Sequence, residues 1–137
     1  VSTTGNPDGH LVLRGGNRGS NYHVDAVTEA AAELKKFGLE ERLMVDCSHA
    51  NSNKDFRRQS DVLASIADQL RSGSKHLMGV MIESHLVEGN QKLSADLSQL
   101  TYGQSITDAC ISLETTEQIL NDLAEAVGAS HQQLQSC

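Results

Sequence analysis

Three times along the chain a short apolar run gives way to a longer stretch with helical periodicity, and this alternation constrains the fold more than any other feature. "HLVLRGG" (His10 to Gly16) is strand-like and stops at two glycines. The following "NYHVDAVTEAAAELKKFG" places Val24, Val27, Ala31 and Leu34 at helical spacing, with Asn21 as the expected N-cap and Gly38 as the stop. "RLMVDCSH" and "NKDFRRQSDVLASIADQLRSG" repeat the design, with Asn53 as the expected cap, Phe56, Leu63, Ile66 and Leu70 on the inner face, and Gly73 closing the helix. "KHLMGVMIESH" and, after a long polar segment, "ETTEQILNDLAEAVG" form the third unit, where Thr115 and Gln118 fit a capping box. Consecutive βα units predict an α/β fold with a parallel sheet covered by helices.

Length and charge limit the possible functions. The 137 residues suffice for one domain but fall short of the roughly 250 of a closed (β/α)8 barrel. At 38% hydrophobic and 21% charged residues the composition is that of a soluble protein, and no apolar run approaches the roughly 20 residues that span a bilayer, so no membrane role is expected. A formal net charge of -7 argues against general affinity for nucleic acid. Cys47, Cys110 and Cys137 form no CxxC pair and are odd in number, so reduced thiols in a cytoplasmic protein are the simplest account. The polar tail, residues 128–137, is expected to fray.

The stretch "LMVDCSHANSNKDFRRQ" ends a buried strand on Asp46, Ser48 and His49, where parallel strands of α/β enzymes present reactive side chains. Glu83 ends the third strand in the same way. The segment after it is longer than usual for such a unit and carries "TYGQSITDAC", which reads as a loop bringing Asp108 back over the strand ends. His49, Glu83 and Asp108 together suit manganese, iron, cobalt or zinc. A structural role as hydrogen-bonded strand-end residues is the alternative.

Arg14 at the end of the first strand offers a planar fork of donors for phosphate or carboxylate. Gly15 and Gly16 either leave backbone N–H groups free for an anion or only shape the turn, with the arginine paired to a neighbouring acid. Lys54, Arg57 and Arg58 read as the solvated face of a helix that could also steer anions.

"GNPDGHLVLRGG", "LMVDCSHANSNKDFRRQ", "GVMIESHLVEGNQ" and "YGQSITDACI" resemble, in order and along nearly the whole chain, the C-terminal part of the type I 3-deoxy-D-arabino-heptulosonate 7-phosphate (DAHP) synthases. The resemblance implies the last three βα units of a (β/α)8 TIM barrel, with residues 1–137 as the C-terminal portion of one domain. It also implies condensation of phosphoenolpyruvate with erythrose 4-phosphate and water to give DAHP and phosphate, at the entry to aromatic amino-acid biosynthesis, with a required divalent metal. His49, Glu83 and Asp108 match the family's metal ligands, and Arg14 matches an arginine that contacts phosphoenolpyruvate. His49 and Arg14 are thereby the expected catalytic residues, with Arg14, His49 and Asp108 at the substrates.

A fourth ligand, a cysteine, and a Lys-Pro-Arg-Thr segment for erythrose 4-phosphate belong in the family to an N-terminal half not included in this sequence. Cys47 and Cys110 lie in the wrong motifs to replace that cysteine. The imidazole of His49 needs a partner for its second nitrogen, and Asp46 or Ser48 is near enough in sequence. The family forms homo-oligomers. A related 3-deoxy-D-manno-octulosonate 8-phosphate synthase and a non-catalytic half-barrel are the rival readings, and residues 1–137 alone are expected to be inactive.

Overall fold

The computed structural model describes the backbone of residues 1–6 and 8–135, and the side chains of that set as far as residue 130. Its centre is a parallel sheet of order β1-β2-β3, formed by Leu11–Leu13, Leu43–Asp46 and Leu77–Met81. Leu13 aligns with Val45 and Val45 with Val80. Helix α1 (Val24–Lys36) connects β1 to β2, and α2 (Gln59–Arg71) connects β2 to β3. The alternation of apolar runs and helical stretches therefore yields the expected parallel sheet.

One face of the sheet makes the core. Leu13, Leu43, Val45 and Cys47 pack with Val27 of α1 and with Val62, Leu63 and Ile66 of α2. Each such fully buried aliphatic side chain contributes about 1.5–3 kcal/mol relative to exposure. Side chains alternate across a strand, so Val12 and Met44 fall on the other face. Val12 is exposed there, and the Met44 methyl lies so close over Gly79 that an added Cβ would sit 3.3 Å from it. Parallel strands are ordinarily buried on both sides, whereas the core among the described residues gathers on the Leu43–Val45 face and leaves Val12 outside it.

Helix ends follow the sequence unevenly. Gly38 and Gly73 close α1 and α2 as expected. The amide of Gly38 donates to Lys35 O and that of Leu39 to Leu34 O, and Gly73 and Ser74 repeat the pattern on Leu70 and Gln69. The N-termini differ from expectation. His23, not Asn21, is the N-cap of α1, and Val24 is 57% exposed rather than on the inner face. Asn21 instead accepts from Gly15 N, a use of its side chain that competes with capping.

Asn53 has a left-handed φ of 53°, and a short 3-10 turn, Phe56–Arg58, capped by Asp55 precedes α2. Ser112, not Thr115, caps the third helix: its Oγ accepts from Thr115 N at 3.1 Å, which places Thr115 inside α3 (Leu113–Gln135). That helix packs on α2 and continues past Gly128, where the sequence reading ends it. Ser136 and Cys137 lie outside the described residues.

After β3 the chain leaves the sheet. Ser84–His85 (β4) pairs with Ile111–Ser112 (β7), and between them Val87–Asn90 (β5) pairs with Gln104–Ser105 (β6). This excursion returns to the ends of the main strands and brings Asp108 with it. No helix among the described residues is long and apolar enough to cross a membrane.

Candidate metal and anion site

The end of β2 turns sharply, and buried polar groups hold the turn. The Asp46 carboxylate is 2% exposed; Oδ1 accepts from Ser48 N at 2.8 Å and Oδ2 pairs with His49 Nδ1 at 2.7 Å. Asn51, equally buried, donates through Nδ2 to Leu13 O (3.1 Å) and Asp46 O (2.8 Å) and accepts from Asn21 N (2.8 Å), which ties the ends of β1 and β2 together. His49, Asn53 and Lys54 have left-handed φ values of 47°, 53° and 61°. For non-glycine residues this conformation is costly and tends to collect at functional sites.

Glu83 falls in the break between β3 and β4, where the chain exchanges one strand partner for another. Gln59, at the start of α2, is wholly buried and bonds both backbone groups of Glu83, whose carbonyl also accepts from Ile111 N at 3.0 Å. Its Nε2 donates to Glu83 O at 3.0 Å, and its Oε1 accepts from Glu83 N at 2.8 Å. Ser48 Oγ donates to Glu83 Oε2 at 2.5 Å, leaving Oε1 facing His49 Nε2 at 3.7 Å. Asn51 and Gln59 escape a search for ligand types. Gln59, however, lies on the same helical stripe as Leu63 and Ile66, and a polar residue on a buried stripe is a readable signal.

Asp108 arrives on the excursion. Asn90 Nδ2 donates to Thr107 O, and the backbones of Gly89 and Cys110 exchange hydrogen bonds on either side of it. One ligand atom from each of His49, Glu83 and Asp108 lies within 4.8 Å of the other two. Two bonds of about 2.1 Å to one ion separate their donor atoms by about 3–3.5 Å, close to the His49–Glu83 spacing. An imidazole nitrogen whose ring partner is already fixed, with two carboxylates, is a fitting donor set for a divalent transition ion. The structure thus brings together the three residues singled out from the sequence.

Arg14, Lys54 and Phe56 join them around a cavity of about 260 Å³ that also touches Ser48 and Ala109. The Arg14 side chain is 61% exposed, and its Nε lies 3.8 Å from Asp46 Oδ2, so it pairs with an acid while facing the cavity. The glycines behind it offer no free donors: Gly15 N donates to Asn21 Oδ1 and Gly16 N to Gly19 O. Lys54 sits in the turn before α2 and lines the cavity, instead of belonging to a solvated helix face. Arg57 is engaged elsewhere, over the Phe56 ring and near Glu88. A cavity of about 950 Å³ between α1 and α2 is lined by none of these groups.

The buried cysteines are poor competitors for a metal. Burial, reinforced by the neighbouring Asp46 charge, pushes the Cys47 thiol up to about 12, and burial also raises Cys110. Thiolates are the ligating form, so both favour the wrong protonation state.

Residues 1–121 match the DAHP synthetase I family. The chain belongs to that family. Among curated proteins it is 50% identical over 127 residues to the phospho-2-dehydro-3-deoxyheptonate aldolase of Haemophilus influenzae, covering 93% of this chain and 35% of that relative. The Phe-sensitive phospho-2-dehydro-3-deoxyheptonate aldolase of Escherichia coli is 50% identical over 129 residues, covering 94% and 36%. A solved structure of the corresponding aldolase from Francisella tularensis superposes with a TM-score of 0.87 at 47% identity, over 93% of this chain and 37% of that one. The chain thus spans about a third of the length of these relatives.

Proposed function

We propose that these residues are the C-terminal three βα units of a (β/α)8 DAHP synthase domain, and that the complete protein condenses phosphoenolpyruvate with erythrose 4-phosphate and water to give DAHP and phosphate. The observation that carries this reading is the convergence of His49, Glu83 and Asp108 beside Arg14, in a family member about half identical to named phospho-2-dehydro-3-deoxyheptonate aldolases. The bare second face of the sheet and the two outer strands, β1 and β3, are what three units of a barrel leave open.

In this reading His49, Glu83 and Asp108 hold manganese, iron, cobalt or zinc. Such an ion, when bound, supplies Lewis acidity toward the aldehyde or activation of water. Arg14 takes one anionic end of phosphoenolpyruvate in a two-pronged grip and Lys54 adds a second positive charge. C3 of phosphoenolpyruvate is thereby kept near the aldehyde carbon and the encounter becomes effectively intramolecular. Bond formation between those carbons, addition of water at C2 and cleavage of the C–O bond to phosphate complete the balance. The fourth ligand and the erythrose 4-phosphate contacts are assigned to the remainder of the barrel. A cytoplasmic location and homo-oligomeric assembly accompany the proposal.

The test uses the intact protein that carries these residues. Phosphoenolpyruvate consumption should require erythrose 4-phosphate and stop on chelation. His49→Ala, Glu83→Ala and Asp108→Ala should each release metal and lower turnover at least a thousandfold, while Arg14→Lys should raise the KM for phosphoenolpyruvate with metal content intact. Unchanged metal content and rate in the three alanine variants would overturn the site. Residues 1–137 alone should show no synthase activity, and an active monomer would refute the half-barrel reading.

A further inference from the structure

We propose that Asp46 is a positioning residue serving both halves of the site through a single oxygen, a role that rests on the metal and anion reading above. Its Oδ2 lies 2.7 Å from His49 Nδ1 and 3.8 Å from Arg14 Nε. As a carboxylate with no proton of its own to give, it requires the proton on Nδ1, which leaves the lone pair on Nε2, the nitrogen facing Glu83. The same negative charge draws the guanidinium to the cavity edge. Arg14 is otherwise mostly exposed, and without a tether an arginine side chain would spread over many rotamers.

The arrangement is built into the strand end. Asp46 is the last residue of β2, its Oδ1 is committed to Ser48 N, and its own carbonyl accepts from Asn51. Rotation of the carboxylate therefore breaks a buried backbone hydrogen bond, and Oδ2 stays where imidazole and guanidinium both reach it. Ser48 does not share the task, because its hydroxyl donates to Glu83 Oε2. Metal ligation by His49 and anion capture by Arg14 thus depend on one buried charge that does not itself line the cavity.

Asp46→Asn in the intact protein, with Arg14→Lys and His49→Ala beside it, tests this. Loss of the charge should weaken metal affinity, read by competition with a chromophoric chelator, by about 10–100-fold. It should also raise the KM for phosphoenolpyruvate, whereas Arg14→Lys should move the KM alone. If Asp46→Asn leaves metal affinity within twofold while His49→Ala abolishes binding, the positioning role is overturned and the site reading stands. If His49→Ala also leaves binding intact, the site reading itself fails. Should Asp46→Asn not fold, the wild-type protein still decides. Isotope-labelled histidine in the metal-free state should show His49 with its proton on Nδ1, and a proton on Nε2 with Nδ1 bare would refute the proposal.

Discussion

The two walls of the site are built differently. The wall at the end of β2 rests on Asp46, Ser48, Asn51, Ser52 and Gln59, which are among the most buried polar residues of the molecule. The wall that carries Asp108 is an excursion held by two-residue and four-residue strands, with Leu93, Leu97 and Tyr102 exposed, Tyr102 at 90%. Side-chain amides bond backbone groups in both walls, and the Asn51 and Gln91 amides differ chiefly in burial. A polar network shielded from water is stiff because every broken bond leaves an unsatisfied group, whereas an exposed one exchanges partners with solvent at little cost. One wall is locked by burial, and the other keeps its bonds within reach of water.

Asn51 and Gln91 make the sharpest test. Each amide makes three backbone hydrogen bonds, Asn51 to Leu13, Asp46 and Asn21, and Gln91 to Thr101 N, Thr101 O and Gln104 O. Asn51→Ala strands buried groups and is expected to cost about 3 kcal/mol or more and to weaken metal binding along with stability. Gln91→Ala exposes its partners to water and should cost about 1 kcal/mol or less. Equal losses in denaturant unfolding would erase the distinction between the walls.

Two glycines repeat the contrast sterically. Gly15 has φ +71°, and an added Cβ would meet the Ala50 Cβ at 2.8 Å and Ala50 and Asn51 backbone atoms at 3.0 Å. Gly103 has φ +78°, and its Cβ would meet Leu86 Cβ, also at 2.8 Å, with Leu86 Cδ1 at 3.0 Å and Cγ at 3.3 Å. Leu86 Cβ moves only with its backbone, but that backbone is the exposed bend between β4 and β5, whereas the Ala50–Asn51 turn is pinned by the buried Asn51 side chain. Both substitutions add a Cβ clash to the left-handed backbone penalty; Gly15→Ala is expected to cost about 2–4 kcal/mol and Gly103→Ala, where the exposed bend can shift, about 1–3 kcal/mol. A reversed order in thermal melts would show that the excursion is the stiffer wall.

The same difference decides what could be read in advance. The βα alternation, the closing glycines and the ligand trio were legible because each is a local pattern or a distinctive residue type. Asn21, Asn53 and Thr115 have cap-like sequence surroundings but do not cap, because the structure has other uses for them. Asn21 serves Gly15, Asn53 sits in the left-handed turn after His49, and Thr115 donates its amide to Ser112. Those demands come from contacts distant in sequence or from one-residue shifts in a helix start, neither of which composition records. Lys54 shares a basic run with Arg57 and Arg58, but α2 begins only at Gln59, so its place at the cavity is not legible from helical periodicity.

The smallest expected effect lies in the exposed wall. Asp96 caps the short turn Leu97–Gln99, accepting from Ser98 N at 3.0 Å and Ser98 Oγ at 2.7 Å, and these bonds hold its carboxyl below the usual carboxylate range. A group depressed in the folded state stabilises it fully above the unfolded pKa, and that support is lost as pH falls through the lower folded value. Acidification should therefore loosen the Leu97–Gln99 turn first, seen as faster amide exchange at Ser98 relative to an unstructured reference at the same pH. The buried wall around Asn51 should remain protected over that interval. Asp96→Asn should remove the acid sensitivity of the turn while leaving the melting temperature and metal affinity nearly unchanged. A simultaneous loss of protection at Ser98 and Asn51 would mean that the two walls open as one unit and that the excursion has no independent freedom.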